Sequence, residues 1–432
     1  MRLILTALLA ALAGAAAAQD MPESESLPVL IGGNVKTNTA IAVPAMPGDV
    51  VGRQVAEVIA ADLRSTGLFT PIGPGGLPSY SVEEAGNPAY PSWRNAGVAA
   101  LVSGYVEGRP DGRMTVACYL HDVTAGRMLA NQGFAVTGSD WRRAAHKCAD
   151  LVYSRLSGQQ PYLDTRVVYV AETGPKNNRQ KRIALMDSDG SNHRYLTVGR
   201  NTAVTPRFSP RGDKLVYVSY IGRKPRVLLY DVASGSERLL IPGNHITFAP
   251  RFSPDGRDVA FTMANGGNSD IYIVSASGGA PRRLTSTPGA DTSPSFSPDG
   301  RQIVFESDRS GTQQLYVMDR DGSSQRRISF GGGRYASPIW SPTGNLIAFT
   351  KIAGPFRIGV MNAGGGGERI LTDGWQDEGP SWAPNGQFVM FHRTPQGAGA
   401  ARLYAVPVGG GAARQMPTPV GGSDPSWSPI NN

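Results

Sequence analysis

The sequence predicts a multidomain α/β and all-β protein. A small N-terminal α/β domain, a mixed sheet with helices, precedes a six-bladed β-propeller closed by a C-terminal strand. Three observations predict this fold class: the second half repeats one unit every 42 to 45 residues, the first half has helical and strand patterns without a repeat, and Gly and Pro supply 54 and 33 of 432 residues. So much Gly and Pro suits short strands joined by tight turns and argues against a helical bundle.

Residues 1–18 are predicted to be an export signal peptide. Arg2 supplies a positive start, an apolar stretch runs from Leu3 to Leu12, and small residues at 16 and 18 fit the usual cleavage rule. The alternative is a membrane anchor, but the apolar stretch is about half of the roughly twenty residues that span a bilayer. We therefore expect a mature chain that begins at Gln19 and works in the periplasm.

Residues 19–37 are predicted to be a flexible partner-binding segment. The segment is acidic and polar in QDMPESES, apolar in LPVLIGG and polar again in NVKTNT. One interpretation is a frayed terminus. The other is a short linear segment that docks onto a partner by strand addition.

Residues 38–160 are predicted to form the α/β domain. A helix should run from about Asp49 to Thr66, because Val51, Val55, Ile59 and Leu63 fall on one face at four-residue spacing. A second helix should run from about residue 139 to 156 and end at Gly158. Strands are predicted at residues 39–43, 99–108, 115–123 and 127–136.

The two cysteines fall on different predicted elements of this domain. Cys118 lies in a strand and Cys148 in the second helix. A disulfide between them is favoured over two separate buried thiols, because an exported protein meets oxidising conditions. Such a bond would close a loop of about thirty residues and stabilise the fold by several kcal/mol.

Residues 161–432 are predicted to form the propeller. A Pro-x-aromatic-small-Pro element recurs six times, and its second proline falls at 210, 254, 298, 342, 384 and 429. Each complete copy continues with two apolar strands, a Gly-bearing turn and a short outer strand such as RRLT at 282–285. Four-stranded units of this length are typical of propeller blades.

The order of the copies predicts a closed ring. Residues 167–197 hold three strand patterns without a preceding Pro-x-aromatic element, whereas the chain ends on PSWSP with no strands after it. The terminal segment should therefore be the inner strand of the blade whose other strands open the domain. Closure would hide the sheet edges. A linear array of repeats is the alternative.

Charge and motifs indicate binding rather than catalysis. Residues 161–432 carry 30 basic and 21 acidic residues, a net charge of +9, but export argues against nucleic acid as a partner. No G-x-S-x-G elbow occurs, and the five histidines are isolated in sequence, so no metal or cofactor is expected. His121 and His146 are expected at the surface or in a strand. The alternative is a propeller hydrolase or lyase that uses the carboxylates of Asp291, Asp377, Glu378 and Asp424.

Several segments resemble the TolB family, the periplasmic propeller proteins of the Tol–Pal system in Gram-negative bacteria. They are ADLRSTGLF (61–69), ALVSGYVEGRPDGRMTVACYLHDV (100–123), the FSPDG-type blades and the terminal PSWSP. The resemblance implies a non-enzymatic, monomeric adaptor associated peripherally with the outer membrane through the lipoprotein Pal. It also implies roles in outer-membrane integrity, in constriction during cell division and in the import of some toxins.

The resemblance also implies the partner-binding residues. Pal would bind the loops that lead into the inner strands, through Val204, Thr205, His245, Thr247, Asp291, Thr292, Tyr335, Asp377, Glu378 and Asp424. The C-terminal domain of TolA would bind the mature N-terminus, through Leu27, Val29, Leu30 and Ile31. In that segment the acidic PESES stretch and Pro28 depart from the family's pattern.

Overall fold

The structure, a computed structural model, describes residues 39–397 and 399–431. The predicted signal peptide and the predicted TolA-binding segment, with Leu27, Val29, Leu30 and Ile31, lie outside the described residues.

The α/β domain is built on a five-stranded sheet with the order β2-β1-β3-β4-β5. Strand β1 pairs in parallel with β2 and β3, and the other pairs are antiparallel, so the sheet is mixed as predicted. The strands are β1 (Thr39–Ala42), β2 (Phe69–Ile72), β3 (Ala100–Gly108), β4 (Met114–Asp122) and β5 (Arg127–Val136).

Two long helices, α1 (Asp49–Ser65) and α3 (Trp141–Ser157), pack on one face of this sheet. Helix α1 buries Val55, Ile59 and Leu63, as the four-residue spacing predicts. It starts after Gly48, whose φ of 124° suits glycine, and a Cβ there would lie 2.4 Å from the carbonyl oxygen of Val106. Helix α3 ends at Gly158, which has a left-handed φ of 71°.

Strand β2 and the helix α2 (Tyr90–Asn95) were not predicted from the sequence. Strand β2 reads FTPI and helix α2 has six residues, so both are too short to show a period. Trp93 of α2 is buried against Ala42 and Leu101, and it covers the opposite face of the sheet from α1 and α3.

The propeller has six four-stranded sheets. Blade 6 begins the domain with β6 (Arg166–Thr173), β7 (Gln180–Asp187) and β8 (Arg194–Tyr195). Blade 1 has β9 (Ala203–Phe208), β10 (Lys214–Ile221), β11 (Lys224–Asp231) and β12 (Glu237–Leu239). Blade 2 has β13 (Ile246–Phe252), β14 (Asp258–Asn265), β15 (Asn268–Ser275) and β16 (Arg282–Arg283).

Blades 3 to 5 repeat the same antiparallel order. Blade 3 has β17 (Asp291–Phe296), β18 (Gln302–Ser307), β19 (Gln314–Asp319) and β20 (Arg326–Arg327). Blade 4 has β21 (Arg334–Trp340), β22 (Leu346–Ile352), β23 (Phe356–Asn362) and β24 (Arg369–Ile370). Blade 5 has β25 (Asp377–Trp382), β26 (Phe388–Arg393), β27 (Arg402–Pro407) and β28 (Arg414–Gln415).

The ring closes between the two ends of the domain. The last strand, β29 (Gly421–Trp427), is the inner strand of blade 6 and pairs antiparallel with β6, with Trp427 opposite Val167. The predicted six-bladed propeller closed by its C-terminal strand is therefore confirmed, and the linear array is wrong.

The two domains share one hydrophobic core. The ring of Tyr162, just after α3, stacks on Phe388 with centroids 5.0 Å apart and meets Trp427 edge-on at 5.9 Å. Asp150 of α3 accepts backbone N–H groups of Tyr162, Leu163 and Asp164, each at 2.8 Å. These contacts fix the chain where it passes from the α/β domain into the propeller.

Cys118 on β4 and Cys148 on α3 are joined by a disulfide, with Cα atoms 5.9 Å apart. The histidines of this domain are more buried than expected. His121 is a buried strand residue between Tyr90 and Ser103, whereas His146 lies in α3 with 2% of its surface exposed. A surface or strand position was therefore wrong for His146, because its helix face is covered by α1 and by the propeller.

Candidate partner-binding rim

Six inner strands begin at one mouth of the propeller channel. The loops that carry the chain from the outer strand of one blade to the inner strand of the next lie at this mouth. We call these loops and the first residues of the inner strands the rim. The opposite mouth is formed by the turns that follow each Pro-x-aromatic element.

A repeated backbone feature shapes the rim. In every blade the residue before the first proline of the Pro-x-aromatic element has φ between 49° and 65°. The six residues are Thr205, Ala249, Ser293, Ser337, Gly379 and Asp424. The pairing of the inner strand with the second strand shifts at the same place in all six blades, which is typical of a β-bulge.

Five of these six residues are not glycine, and a left-handed conformation costs such residues about 1 kcal/mol each. Because all six blades adopt it, the surrounding ladder hydrogen bonds must hold it in place. The bulge breaks the strand alternation between the first residues of each inner strand and the Pro-x-aromatic element that follows them. The shape of the rim is thus set by backbone geometry.

Six of the proposed Pal-binding residues are accessible at this mouth. His245 is exposed in the turn before β13, and the other five are partly buried at the starts of their strands: Val204, Thr205, Thr292, Glu378 and Asp424. The backbone N–H of Asp424 donates to Nδ1 of His392 at 3.3 Å, and the side-chain amide of Gln376 donates to Glu378 at 2.9 Å. The structure brings these six residues around one opening.

Asp291 and Asp377 are fully buried, which sequence reasoning did not anticipate. Nη2 of Arg309 donates to the two carboxylate oxygens of Asp291 at 2.9 and 2.8 Å, and Nε and Nη2 of Arg393 donate to Asp377 at 2.7 and 2.9 Å. The hydrogen bond from Arg393 to Asp377 also raises the pKa of that guanidinium. Both aspartates therefore position their loops and do not offer an acid or base to a substrate.

Tyr335 and Thr247 are also buried, at 0% and 1% exposure, so their side chains are not accessible to a partner in this structure. The Tyr335 hydroxyl donates to Glu368 at 2.5 Å. The Thr247 hydroxyl accepts the backbone N–H of Val227 at 3.0 Å. In blades 2, 3 and 4 the Thr or Ser that ends the outer-strand motif accepts the equivalent N–H, whereas the same motif in blade 1 reads RLLI and has no hydroxyl.

One buried carboxyl group lies behind the rim. Burial raises the pKa of Glu306 on β18, and hydrogen bonds with Ser293, Thr292 and Gln313 oppose the shift. These donors occupy the carboxylate, so Glu306 holds the bulge of blade 3 in place.

Two large apolar side chains of the rim were missed by sequence reasoning. Phe330 is 74% exposed and Trp375 is 55% exposed, in the loops that lead into β21 and β25. The guanidinium of Arg327 lies 5.2 Å from the Phe330 ring centroid. Each stands beside glycine in a loop sequence, FGGG for Phe330 and DGW for Trp375. This pattern could have indicated an exposed aromatic residue available to bind a partner.

Away from the rim, His146, Asp187 and Asp189 hold ligand-type atoms within 4.8 Å of one another. These groups already engage protein neighbours. Arg142 donates to Asp189 at 3.0 Å, and Asn192 donates to Asp187 at 2.6 Å. The cluster is therefore a polar network between the two domains.

Comparisons with known proteins match both domains. Residues 153–431 match the family described as the TolB beta propeller domain, and residues 27–129 match the TolB amino-terminal domain. The chain is 60% identical over 415 residues to the Tol-Pal system protein TolB of Zymomonas mobilis subsp. mobilis, covering 94% of this chain and 91% of that one. The chain belongs to the TolB family.

Further relatives agree with the TolB assignment. The Tol-Pal system protein TolB of Rhizorhabdus wittichii is 62% identical over 420 residues, covering 95% of this chain and 96% of its own. The crystal structure of TolB from Acinetobacter baumannii aligns with a TM-score of 0.80 at 27% identity, covering 91% of this chain and 97% of that one.

TolB membership makes the chain a non-enzymatic component of the Tol–Pal system. Its role there implies interaction with other Tol–Pal components. Within residues 39–397 and 399–431, no helix is both long and apolar enough to cross a membrane.

Proposed function

We propose that this chain is a periplasmic adaptor that binds the lipoprotein Pal through the rim. Through Pal it associates peripherally with the outer membrane, as a monomer, and it helps to maintain the membrane and to draw it inward during division. The observation that carries the proposal is the rim itself: a mouth of fixed backbone shape that exposes Phe330, Trp375 and His245 and whose buried carboxylates are paired.

The chemistry of the rim fits a protein partner better than a small substrate. Binding energy at protein interfaces concentrates in aromatic anchors surrounded by polar residues. Phe330 and Trp375 supply such anchors in the loops before blades 4 and 5, and Thr292, Glu378 and Asp424 supply partly buried polar groups on three inner strands. The carboxylates Asp291 and Asp377, which a lyase or hydrolase would need, are held by arginines.

Calorimetric titration of residues 19–432 with the soluble domain of Pal from the same organism tests the rim. We expect saturable 1:1 binding that is weakened at least tenfold, about 1.4 kcal/mol, by Phe330→Ala or Trp375→Ala and by His245→Ala or Thr292→Ala. Val50→Ala is the matched control, because Val50 is 70% exposed on α1, away from the rim. Binding that survives all four rim changes would move the site elsewhere.

We further propose that residues 19–37 bind the C-terminal domain of TolA through Leu27, Val29, Leu30 and Ile31. The support is the apolar LPVLIGG run that follows an acidic stretch, together with family membership. Titrating the TolA domain with residues 19–432 and with residues 38–432 tests this docking. Equal affinity for the two forms would overturn it.

A further inference from the structure

The channel mouth opposite the rim opens into a cavity of about 430 Å³. The Pro-x-aromatic-small-Pro elements of all six blades line it. The second residue of each element, the one between the first proline and the aromatic residue, occupies an equivalent position on the inner strand, so six such residues form one ring. They are Arg207, Arg251, Ser295, Ile339, Ser381 and Ser426.

The two arginines of this ring lie on neighbouring blades and have no carboxylate partner. Within the described residues, no acidic side chain forms an ion pair with either guanidinium. Arg207 is 6% exposed, and its Nη1 donates to the carbonyl oxygens of Pro206, Asp424 and Pro425 at 2.7, 3.3 and 3.2 Å. Nη1 of Arg251 donates to the carbonyl oxygen of Pro250 at 3.0 Å.

Both arginines retain unused donors. The Nε atoms of Arg207 and Arg251 are buried without a hydrogen-bond partner in the described part of the chain. Burial lowers the pKa of Arg207 to about 10, and burial together with the charge of Arg207 lowers the pKa of Arg251; the charge of Asp424 opposes both shifts, and that of Glu306 opposes the shift of Arg251. Because neither carboxylate forms an ion pair with these arginines, two like charges held close in a poorly solvated channel remain costly, and a bound anion would lower that cost.

The serines beside the arginines in the ring carry hydroxyl groups that can donate hydrogen bonds to an anion. The hydroxyl oxygen of Ser426 accepts the backbone N–H of Phe208, and that of Ser295 accepts the N–H of Trp340, at 3.5 and 3.2 Å. A hydroxyl that accepts from the backbone still has its own proton to donate. Ser426, Arg207, Arg251 and Ser295 are consecutive around the ring, so one side of the channel is a continuous row of donors.

We propose that this row is a binding site for a small free oxyanion, bound between the guanidinium groups of Arg207 and Arg251. Phosphate, sulfate and small polycarboxylates share the required chemistry, since each presents several charged oxygens to planar guanidinium donors. The cavity opens at the mouth opposite the rim, so an anion can enter it while a protein partner occupies the rim.

Thermal unfolding and calorimetric titration of residues 19–432 in Tris buffer at constant ionic strength test the proposal. The probes are inorganic phosphate, sulfate and citrate, with chloride as the reference salt. We expect at least one probe to bind saturably and to raise Tm with the concentration dependence of a single site. Arg251→Gln should weaken that binding at least tenfold. Arg301→Gln should leave it unchanged, because Arg301 is an exposed arginine in a blade turn.

The change in Tm caused by Arg251→Gln, measured with and without anion, distinguishes an anion-binding arginine from a structural one. Without added anion, Arg251→Gln removes a buried charge and its repulsion with Arg207, so Tm should rise or stay constant. With a saturating anion, Tm of this variant should fall below that of the unaltered protein. A structural arginine would lower Tm equally in both conditions. That result, or the absence of saturable binding by all three probes, would overturn the proposal.

Discussion

Nδ1 of His146 lies 2.6 Å from a carboxylate oxygen of Asp62, and both side chains are buried where α3 crosses α1. Burial alone would lower the pKa of His146. The attraction and hydrogen bond of Asp62, joined by the charges of Asp189 and Asp187 from the propeller, outweigh burial and raise the pKa to about 9. At neutral pH the imidazole of His146 is therefore protonated and pairs with Asp62 at the junction of the two domains.

This pair predicts a specific pH dependence of stability. The folded-state pKa of His146 exceeds its ordinary value of 6.5, so its stabilisation is complete below pH 6.5 and is lost as pH rises through about 9. The loss is up to about 3 kcal/mol. Replacing both residues, Asp62→Asn with His146→Gln, avoids a lone buried charge. Tm measured from pH 6 to pH 10 should fall less steeply in the double variant than in the unaltered protein.

His245→Gln is the control for this experiment, since His245 is exposed and outside the junction. Its pH profile should follow that of the unaltered protein. Parallel profiles for the unaltered protein and the double variant would contradict a role for the buried pair.

Reduction of the disulfide should destabilise the α/β domain. Cys118 and Cys148 are 30 residues apart, and a loop of that length gives about 3–4 kcal/mol in the chain-entropy description. We expect Cys118→Ala with Cys148→Ala to lower Tm and to abolish the further effect of a reductant. If a reductant lowers Tm equally in the double variant, the effect does not come from this bond.

The propeller was predictable from sequence because each blade repeats the same turn, and the unpaired first and last fragments define how the ring closes. The rim was less predictable. In sequence, Asp291 and Tyr335 stand just before a Pro-x-aromatic element, as exposed loop residues would. In the structure each lies at the start of its inner strand and is buried against a partner, Arg309 for Asp291 and Glu368 for Tyr335. Such pairings depend on the bulge at the start of each inner strand. The bulge cannot be predicted from residue type, because Thr, Ala, Ser, Gly and Asp all occur at its positive-φ position.

The linker between the domains should depend on one carboxylate. Asp150 accepts three backbone N–H groups of residues 162–164, so Asp150→Asn leaves at least one buried donor unsatisfied at a cost of about 1–3 kcal/mol. We expect calorimetry to show a lower Tm and separated unfolding of the two domains. Glu57→Gln, an exposed carboxylate on α1, is the control and should unfold as the unaltered protein does. A single unshifted transition for Asp150→Asn would contradict the assignment.

Rim residues should separate into those that position the loops and those that contact the partner. Asp291→Ala leaves the partly buried Arg309 without its carboxylate, so it should lower stability, by less than the roughly 3–5 kcal/mol of a fully buried pair, and weaken Pal binding through the altered loop. Adding Arg309→Met removes the lone charge and should restore much of the stability and much of the affinity for Pal.

Phe330→Ala should weaken Pal binding with little change in Tm, because the ring is 74% exposed. Tm and calorimetric affinity measured on the same three proteins make the distinction. If the double variant recovers stability without recovering affinity, Asp291 contacts the partner directly and the structural role argued for it is wrong.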